Sequence, residues 1–343
     1  MTSALDPTPQ LVNAFRGGLL NWYRRHHRRL PWRQTSDPYR ILVSEIMLQQ
    51  TRVATVIPYY RRWLRTFPTV QSLARAPRAR VLKLWEGLGY YNRARYLHDA
   101  ARKLARTRLW SRPDGRTAAA LQSLPGVGRY TAAAVASIAF GEPVPVVDGN
   151  VARVVARVLC LRNNVRLAST QRRIAHWLQR VMPTDAPGTF NQAMMELGAL
   201  VCPPRQPQCT ACPLQPVCGA ARRGQPERFP YRGRRQCIKP VTITAAVIRR
   251  GNRIWVQRRP AAGSLAGMWE LPTVTNGTGR EWFREHYTIM NQRITLRIVT
   301  GVSVARRNGR WITRADLRRL TFPAGQRRAL ERVFAVDPPR GHS

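Results

Sequence analysis

The chain has 343 residues, enough to bury a sizeable core in two or three domains, and carries 58 Lys+Arg against 17 Asp+Glu, a net charge of +41. That excess is far beyond what solubility needs and points to a polyanionic partner, a nucleic-acid backbone above all; a genome that prefers Arg accounts for part of it but not for the scarcity of acids. No run approaches eighteen apolar residues, which argues against a membrane span.

From the start of the chain, MTSALDPTPQLVNAF has neither the basic opening nor the small-residue cleavage site of a secretory leader, so a cytoplasmic, nucleoid-associated protein is expected. Residues 8–28 predict an amphipathic helix ending in the basic run RRHHRR, and LPWRQTSDPY follows as a loop with two prolines. Helical patterns continue at 40–55, 56–66, 70–75, 78–84, 92–106, 117–122, 129–139, 148–160, 170–181 and 187–199. The breaks between them carry Pro or Gly, as in FPT, GLGYYN, LPGVG and FGEPVPV. Residues 1–220 therefore form a helical domain. Composition shifts over 219–240, where GAARRGQPERFPYRGRRQCIKP has no periodicity, and a linker is expected at 221–240. Beyond it VTITAAVI, the turn RRGN and RIWVQRR predict a β-hairpin, RITLRIVTGVSVA adds a strand, and 322–335 closes with a helix, so 241–343 is an α+β domain.

In ILVSEIMLQQTRV, residues 41–53, Ile41, Glu45 and Leu48 share one stripe of a helix. An ionised carboxylate against apolar side chains is costly unless paired, so a raised pKa is expected for Glu45, which makes it a candidate general acid. Glu196, between AMM and LGAL, is a second acid in an apolar helix. LPGVGRYTAAAVA, residues 124–136, sets Gly126 and Gly128 in a tight turn before a helix, where bare backbone N–H groups suit a phosphate. In PVVDGNVARV, Asp148 opens the next helix, a place where an ordinary N-cap and a functional carboxylate look alike. Cys202, Cys209, Cys212 and Cys218 are spaced C-x6-C-x2-C-x5-C. Four thiolates so close together can wrap one metal centre, either a tetrahedral zinc or a [4Fe–4S] cube, and argue for a reduced compartment rather than a disulfide framework. Spacing alone does not choose between the two metals.

LPWR, VSEIMLQQTRV, GLGYYNRAR, LPGVGRYTA, VDGNVARV, QAMMELGALVC, the cysteine loop and AGMWELP run in the order found in MutY. The chain resembles that adenine-excising branch of the endonuclease III superfamily of DNA glycosylases over nearly its whole length, densely from 30 to 218 and thinly after 272. The resemblance implies a mainly α helix-hairpin-helix glycosylase with a [4Fe–4S] cluster loop at 202–218, followed by an α+β MutT/Nudix-like domain. It implies iron–sulfur rather than zinc at the four cysteines, turns Arg205 toward a phosphate, and implies a monomer acting on duplex DNA with adenine opposite 8-oxoguanine or guanine. The bifunctional branch carries a Lys in the hairpin helix that forms a Schiff base with the sugar; Tyr130 occupies that position here, so excision without strand cleavage is implied.

The same resemblance distributes roles. Glu45 protonates adenine at N7, and Asp148, kept ionised at a helix N-terminus, steadies the oxocarbenium-like sugar, as in two-carboxylate glycoside hydrolysis. Tyr130 and Asn150 orient Asp148 and the sugar. Glu196 meets the adenine edge together with Arg33, and Trp32 walls the pocket, although by residue type a loop arginine and a core tryptophan explain Arg33 and Trp32 equally well. Gln50 and Tyr90 wedge into the base stack with help from Leu88, and Thr51 joins the substrate-binding set.

The second domain departs from the family pattern twice. The acid-rich helix of a working Nudix hydrolase is missing after MWELP, and Glu270 and Glu285 alone cannot hold a catalytic Mg²⁺, so pyrophosphatase activity is not expected. The His-bearing signature that reads 8-oxoguanine is replaced by Asn291, Gln292 and Arg293, with His286 the nearest histidine. Altered opposite-base specificity is therefore one alternative, a non-catalytic damage-binding protein on the same fold another. A bifunctional lyase (disfavoured by Tyr130) and a zinc-bearing DNA-binding module are more distant. If the +41 serves DNA, the logarithm of the binding constant should fall against log salt with a slope of about −0.9 per neutralised phosphate; a nearly flat slope in a salt titration would leave the charge as codon bias.

Overall fold

The structure, a computed structural model, describes residues 6–231, 238–260, 265–274, 279–289, 291–304 and 308–336. Residues 232–237 of the expected linker, Ser264 and 275–278 around the MWELP stretch, and both chain ends lie outside the described residues. Two compact units divide the chain: Met1–Ala74 with Asp99–Arg235, and Arg75–His98 with Gln236–Ser343.

The helices run α1 (Pro9–His26), α2 (Pro38–Leu48), α3 (Val53–Thr66), α4 (Val70–Arg75), α5 (Arg78–Trp85), α6 (Asn92–Thr107), α7 (Ala118–Leu121), α8 (Arg129–Phe140), α9 (Gly149–Val158), α10 (Ala168–Val181) and α11 (Pro187–Leu200). Their ends follow local chemistry. Thr8 caps α1 by accepting from the Leu11 N–H, and Arg24, Arg25 and His26 fill its last turn, where cations suit the helix dipole. Asp37 caps α2 ahead of Pro38 at the first helical position. The helix expected over 40–55 is in fact two: Gln50 takes a left-handed backbone, φ 55°, which cannot continue a helix, and α3 starts afresh at Val53. No helix among the described residues is long and apolar enough to cross a membrane.

The core of the first unit gathers Phe15 and Leu19 of α1, Val151 and Val155 of α9, Trp177 of α10, and Phe190 and Leu197 of α11. Phe15 meets Trp177 edge-on at 5.3 Å. α9 and α11 approach closely where Gly198 faces Asn150; a Cβ at 198 would stand 2.7 Å from the Asn150 Cβ. The stretch expected as a linker begins as folded structure. α12 (Gly219–Arg222) follows the cysteines, Ala220 and Phe229 are buried, and the buried Arg157 donates from Nε to the carbonyls of Pro226 (2.9 Å) and Phe229 (3.2 Å).

The second unit holds two sheets and the closing helix α13 (Ala324–Ala335). β1 (Lys239–Ala246) runs parallel to β6 (Gln292–Thr300), which pairs antiparallel with β5 (Arg280–Ile289). β3 (Arg253–Arg258) pairs with β2 (Arg249–Arg250), β4 (Trp269–Glu270) and β7 (Gly309–Ile312). The expected hairpin is thus only the short β2–β3 turn. VTITAA joins the other sheet, where Ala245 shares one core with Leu296 and Ile298. β5, within a stretch given no element from sequence, supplies the main hairpin with β6.

The Gly198 contact sets where Asn150 stands. Gly198→Ala gains about 1 kcal/mol of helix propensity, yet overpacking of about 1–3 kcal/mol should dominate. A lower melting temperature and slower turnover are expected; a variant melting with the parent would mean that α9 and α11 can spread without cost.

Candidate active site

Five segments of the first unit line one cavity of about 230 Å³, many times the roughly 10–15 Å³ that a single buried water requires. Its walls include Trp32, Arg33, Glu45, Thr51, Tyr130, Asp148, Asn150 and Glu196, eight of the residues singled out in the sequence. Glu45 lies on the buried face of α2, 5% exposed. The Tyr130 hydroxyl, in the first turn of α8, donates to Glu45 Oε2 at 2.8 Å and lies 3.3 Å from the Met195 sulfur. Burial pushes the Glu45 carboxyl up to about 7; the Tyr130 bond and the Arg33 charge pull the other way, and the Asp148 charge adds to the rise. Burial, with the charges of Glu45 and Asp148, raises Tyr130 well above its usual range, so it stays a donor.

Asp148 is the N-cap of α9. Its Oδ1 accepts from the Val151 N–H at 2.7 Å and its Oδ2 from Asn150 Nδ2 at 3.1 Å. These bonds favour the charged form, as expected for a helix N-terminus, but burial outweighs them and the carboxyl rises from its ordinary value. Asp148 thus accepts two N–H bonds where Glu45 accepts one hydroxyl bond, and the two carboxyls stand in unlike surroundings. Arg153, one turn along, donates to Asn150 Oδ1 at 2.9 Å and to the carbonyls of Gly198 and Cys202, each at 2.8 Å. One arginine therefore ties the Asp148 cap to the start of the cysteine loop.

Glu196 stands between two arginines. Its two oxygens accept from the Arg28 backbone N–H, from Nε and Nη2 of Arg28 and from both Nη atoms of Arg33, at 2.6–2.9 Å. Burial works against the charge, yet the bonds from Arg33 and Arg28 hold the carboxyl down at about 2. A carboxylate with five donors holds both arginines at the cavity wall. Trp32 is buried, edge-on to Tyr60.

Gly126 and Gly128 are exposed on the turn before α8. Gly126 takes φ 72°, which favours glycine, and α8 has no side-chain cap, leaving its first N–H groups open to an anion. Tyr130 belongs to that same first turn.

The four cysteines are half-buried and none is in a disulfide. Among the described residues no three ligand-type side chains stand at metal-binding spacing. Their chemistry nevertheless fits a metal centre. Burial and then the neighbouring thiols raise Cys209 and Cys212, the latter to about 12, and burial also raises Cys218, so four thiolates would coexist here only around a cation. Arg157, 1% exposed, points Nη1 at Cys202 Sγ (3.0 Å) and the Pro203 carbonyl (2.8 Å), stitching the loop to α9. Arg205 is exposed on the loop.

The remaining residues sit as follows. Gln50 is exposed in the strained turn after α2, and Thr51 lines the cavity. In the other unit Tyr90 is 39% exposed with φ 46°, and Leu88 is buried at 5% exposure. Asn291, Gln292 and Arg293 are exposed where β6 begins, and His286 pairs across the sheet with Thr295. Arg28, Arg153, Arg157 and Met195 were not singled out from sequence. The one signal for the middle two is their i, i+4 spacing on a helix that otherwise buries Val and Ala.

The model of the HhH-GPD superfamily base excision DNA repair protein matches residues 43–195, and that of the NUDIX domain matches 244–332. "Adenine DNA glycosylase" of Homo sapiens is 39% identical over 318 residues, covering 77% of this chain and 58% of that protein; the chain thus spans less than two thirds of this relative's length. The protein of the same name from Mycobacterium tuberculosis is 44% identical over 218 residues, covering 60% of this chain and 71% of that one. A solved thermostable thymine-DNA glycosylase superposes with a TM-score of 0.57 at 29% identity, covering 64% of this chain and 100% of its own.

Because its folded-state pKa exceeds the ordinary 4.5, Glu45 binds its proton more tightly in the fold than in the unfolded chain, and its presence weakens the fold as pH rises from about 4.5 through about 7. Glu45→Gln should therefore raise thermal stability at pH 8 by up to ~3 kcal/mol and change it little near pH 4. Melting curves at both pH values check this; a variant less stable at pH 8 would contradict the buried-acid assignment.

Proposed function

The chain belongs to the adenine DNA glycosylase family, and from that premise we propose that it excises adenine mispaired with 8-oxoguanine or guanine in duplex DNA, leaving the strand intact, as a step of base excision repair. The observation that carries the reading is the pairing of two carboxyls in unlike surroundings on one cavity, Glu45 with a single hydroxyl donor and Asp148 with two N–H donors. The adenine is swung out of the stack, at a cost of a few kcal/mol, into that cavity. Glu45, half-protonated near pH 7, hands its proton to N7, which turns the purine into a competent leaving group. Tyr130 fixes one Glu45 oxygen, so the acidic proton sits on the other.

As the N-glycosidic bond breaks, its electron pair leaves with the base and positive charge develops on the sugar. Asp148 meets that charge, by Coulomb attraction or through a transient bond, while Val151 and Asn150 hold its carboxylate in place. Water then adds to the sugar and yields its proton to Glu45, restoring the starting state. Tyr130 offers no amine for a Schiff base, which supports excision without strand cleavage.

Outside the cavity, the N–H groups at Gly126 and Gly128 and the exposed Arg205 would take backbone phosphates. Gln50 in the first unit and Tyr90 in the second each hold a left-handed backbone, the kind of local strain that binding sites tolerate, and each would wedge into the base stack. Cys202, Cys209, Cys212 and Cys218 would hold a [4Fe–4S] cluster. When bound, that cluster would cross-link the loop bearing Arg205 and supply a redox-active centre; the excision steps above do not pass through it. Asn291, Gln292 and Arg293 would read the opposite base, and the lack of histidine among them favours a second reading, adenine excision with a shifted opposite-base preference.

Single-turnover adenine release from duplexes with A opposite 8-oxoguanine, G, C or T separates the two. Fastest release opposite 8-oxoguanine is expected, with kcat/KM falling as pH rises above about 7 and Glu45→Gln inactive but still binding. Fastest release opposite a base other than 8-oxoguanine would favour the shifted preference, equal rates opposite all four would contradict both readings, and adenine release by Glu45→Gln would remove the acid.

A further inference from the structure

The segment 75–98 lies inside the helical match in sequence yet belongs to the compact unit that contains the Nudix-like domain. One carboxylate organises this attachment. Glu86 Oε1 accepts from Arg327 Nε at 2.6 Å and from the Phe322 N–H at 3.2 Å, while its Oε2 accepts from Lys83 Nζ at 2.6 Å. Lys83 and Arg327 each also donate to the carbonyls of Leu317 and Leu320, at 2.8–3.1 Å. The group is mostly shielded: the side chains of Glu86, Arg327 and Lys83 are 14%, 20% and 28% exposed. In a chain with 17 acids against 58 Lys and Arg, an acid held by two cations and a backbone N–H, with both cations also bound to the same two carbonyls, is a specific arrangement.

Directly after Glu86 comes the Gly87–Tyr91 loop. The Tyr91 hydroxyl reaches the Phe322 carbonyl at 3.5 Å, Trp85 Nε1 donates to the Gly89 carbonyl at 3.0 Å, and Arg93 donates to the carbonyls of Leu88 (3.0 Å) and Gly89 (3.3 Å). The Arg93 guanidinium lies over both the Trp85 and Tyr90 rings, 5.4 Å from each centroid. Tyr90 is thus held out at the tip, in a left-handed backbone, by contacts anchored on the segment 317–327.

We propose that Glu86 is a positioning residue that locks the Tyr90 loop onto the Nudix-like domain, so that the wedge and the residues at 291–293 engage DNA as one piece. This rests on the wedge role given to Tyr90 above. The Nudix-like domain then serves excision by holding the loop as well as by reading a base, with the Glu86 carboxylate at the centre of the bonds that hold it.

The test is a double-mutant cycle in the full-length protein, purified as it is expressed. Glu86→Gln, Tyr90→Ala and the double variant are compared by single-turnover adenine release and by the fluorescence of 2-aminopurine placed beside the lesion, which reports unstacking, with melting curves taken on each variant to recognise a lost fold. Glu86→Gln is expected to lower both signals, and Tyr90→Ala to add little in that background, a departure from multiplicative effects of about threefold or more. Glu86→Asp should restore part of the fluorescence. Arg327→Gln, which leaves Lys83 on Glu86, should reproduce the loss with melting unchanged, separating a loosened loop from a lost fold. Strictly multiplicative effects, or full 2-aminopurine response in Glu86→Gln, would overturn the proposal. A wild-type protein that unstacks the probe but releases no adenine would count against the proposed reaction while leaving the positioning role standing.

Discussion

Burial of the Glu45 carboxyl against the apolar turns of α2, with one hydroxyl as its direct partner, is the constraint on which the site depends. Full ionisation would leave a charge with a single neutral donor in a low-polarity wall, and the group responds by keeping its proton to near neutrality. Everything around it is arranged so that the proton is not lost to a neighbour. Arg33, whose charge pulls the Glu45 carboxyl down, is engaged by Glu196, and Asp148, whose charge pushes it up, carries its own donors. Two acids in one cavity are thereby kept chemically different by the company each keeps.

Helix α9 is the second organising element. Its cap is Asp148, its first turn presents Asn150, its next turn Arg153 and the turn after that Arg157. Arg153 reaches Cys202 through its carbonyl and Arg157 reaches the same residue through its sulfur. One short helix thus connects the carboxylate end of the cavity to the cysteine loop without any intervening flexible segment, and Gly198 lets α11 close on it. Rigid support of this kind is what a site needs to hold reacting groups within a fraction of an ångström.

Much of this was legible in the residues, for particular physical reasons. Helical periodicity put Glu45 on a buried stripe, and a helix start following an apolar run put Asp148 at a cap; both are local properties that one stretch of chain decides. What was not legible depended on distant partners. Glu196 was recognisable as an acid in an apolar helix, but its saturation by Arg28 and Arg33 involves residues more than 160 positions earlier. The strand VTITAA looked like half of a hairpin because its neighbour in sequence is a strand. Its true partner β6 lies some fifty residues on and is chosen by burial of shared side chains. The break at Gln50 escaped notice because glutamine carries no turn signal, and the attachment of 75–98 to the Nudix-like unit has no local signature at all.

The proton on Glu45 can be observed without substrate. Selective ¹³C labelling of the glutamate carboxyls, with Glu45 assigned by comparison to Glu45→Gln, allows its titration to be followed by NMR. A midpoint near 7 is predicted. A midpoint at the ordinary 4.5 would mean a carboxylate already ionised at working pH, with no proton to give the base.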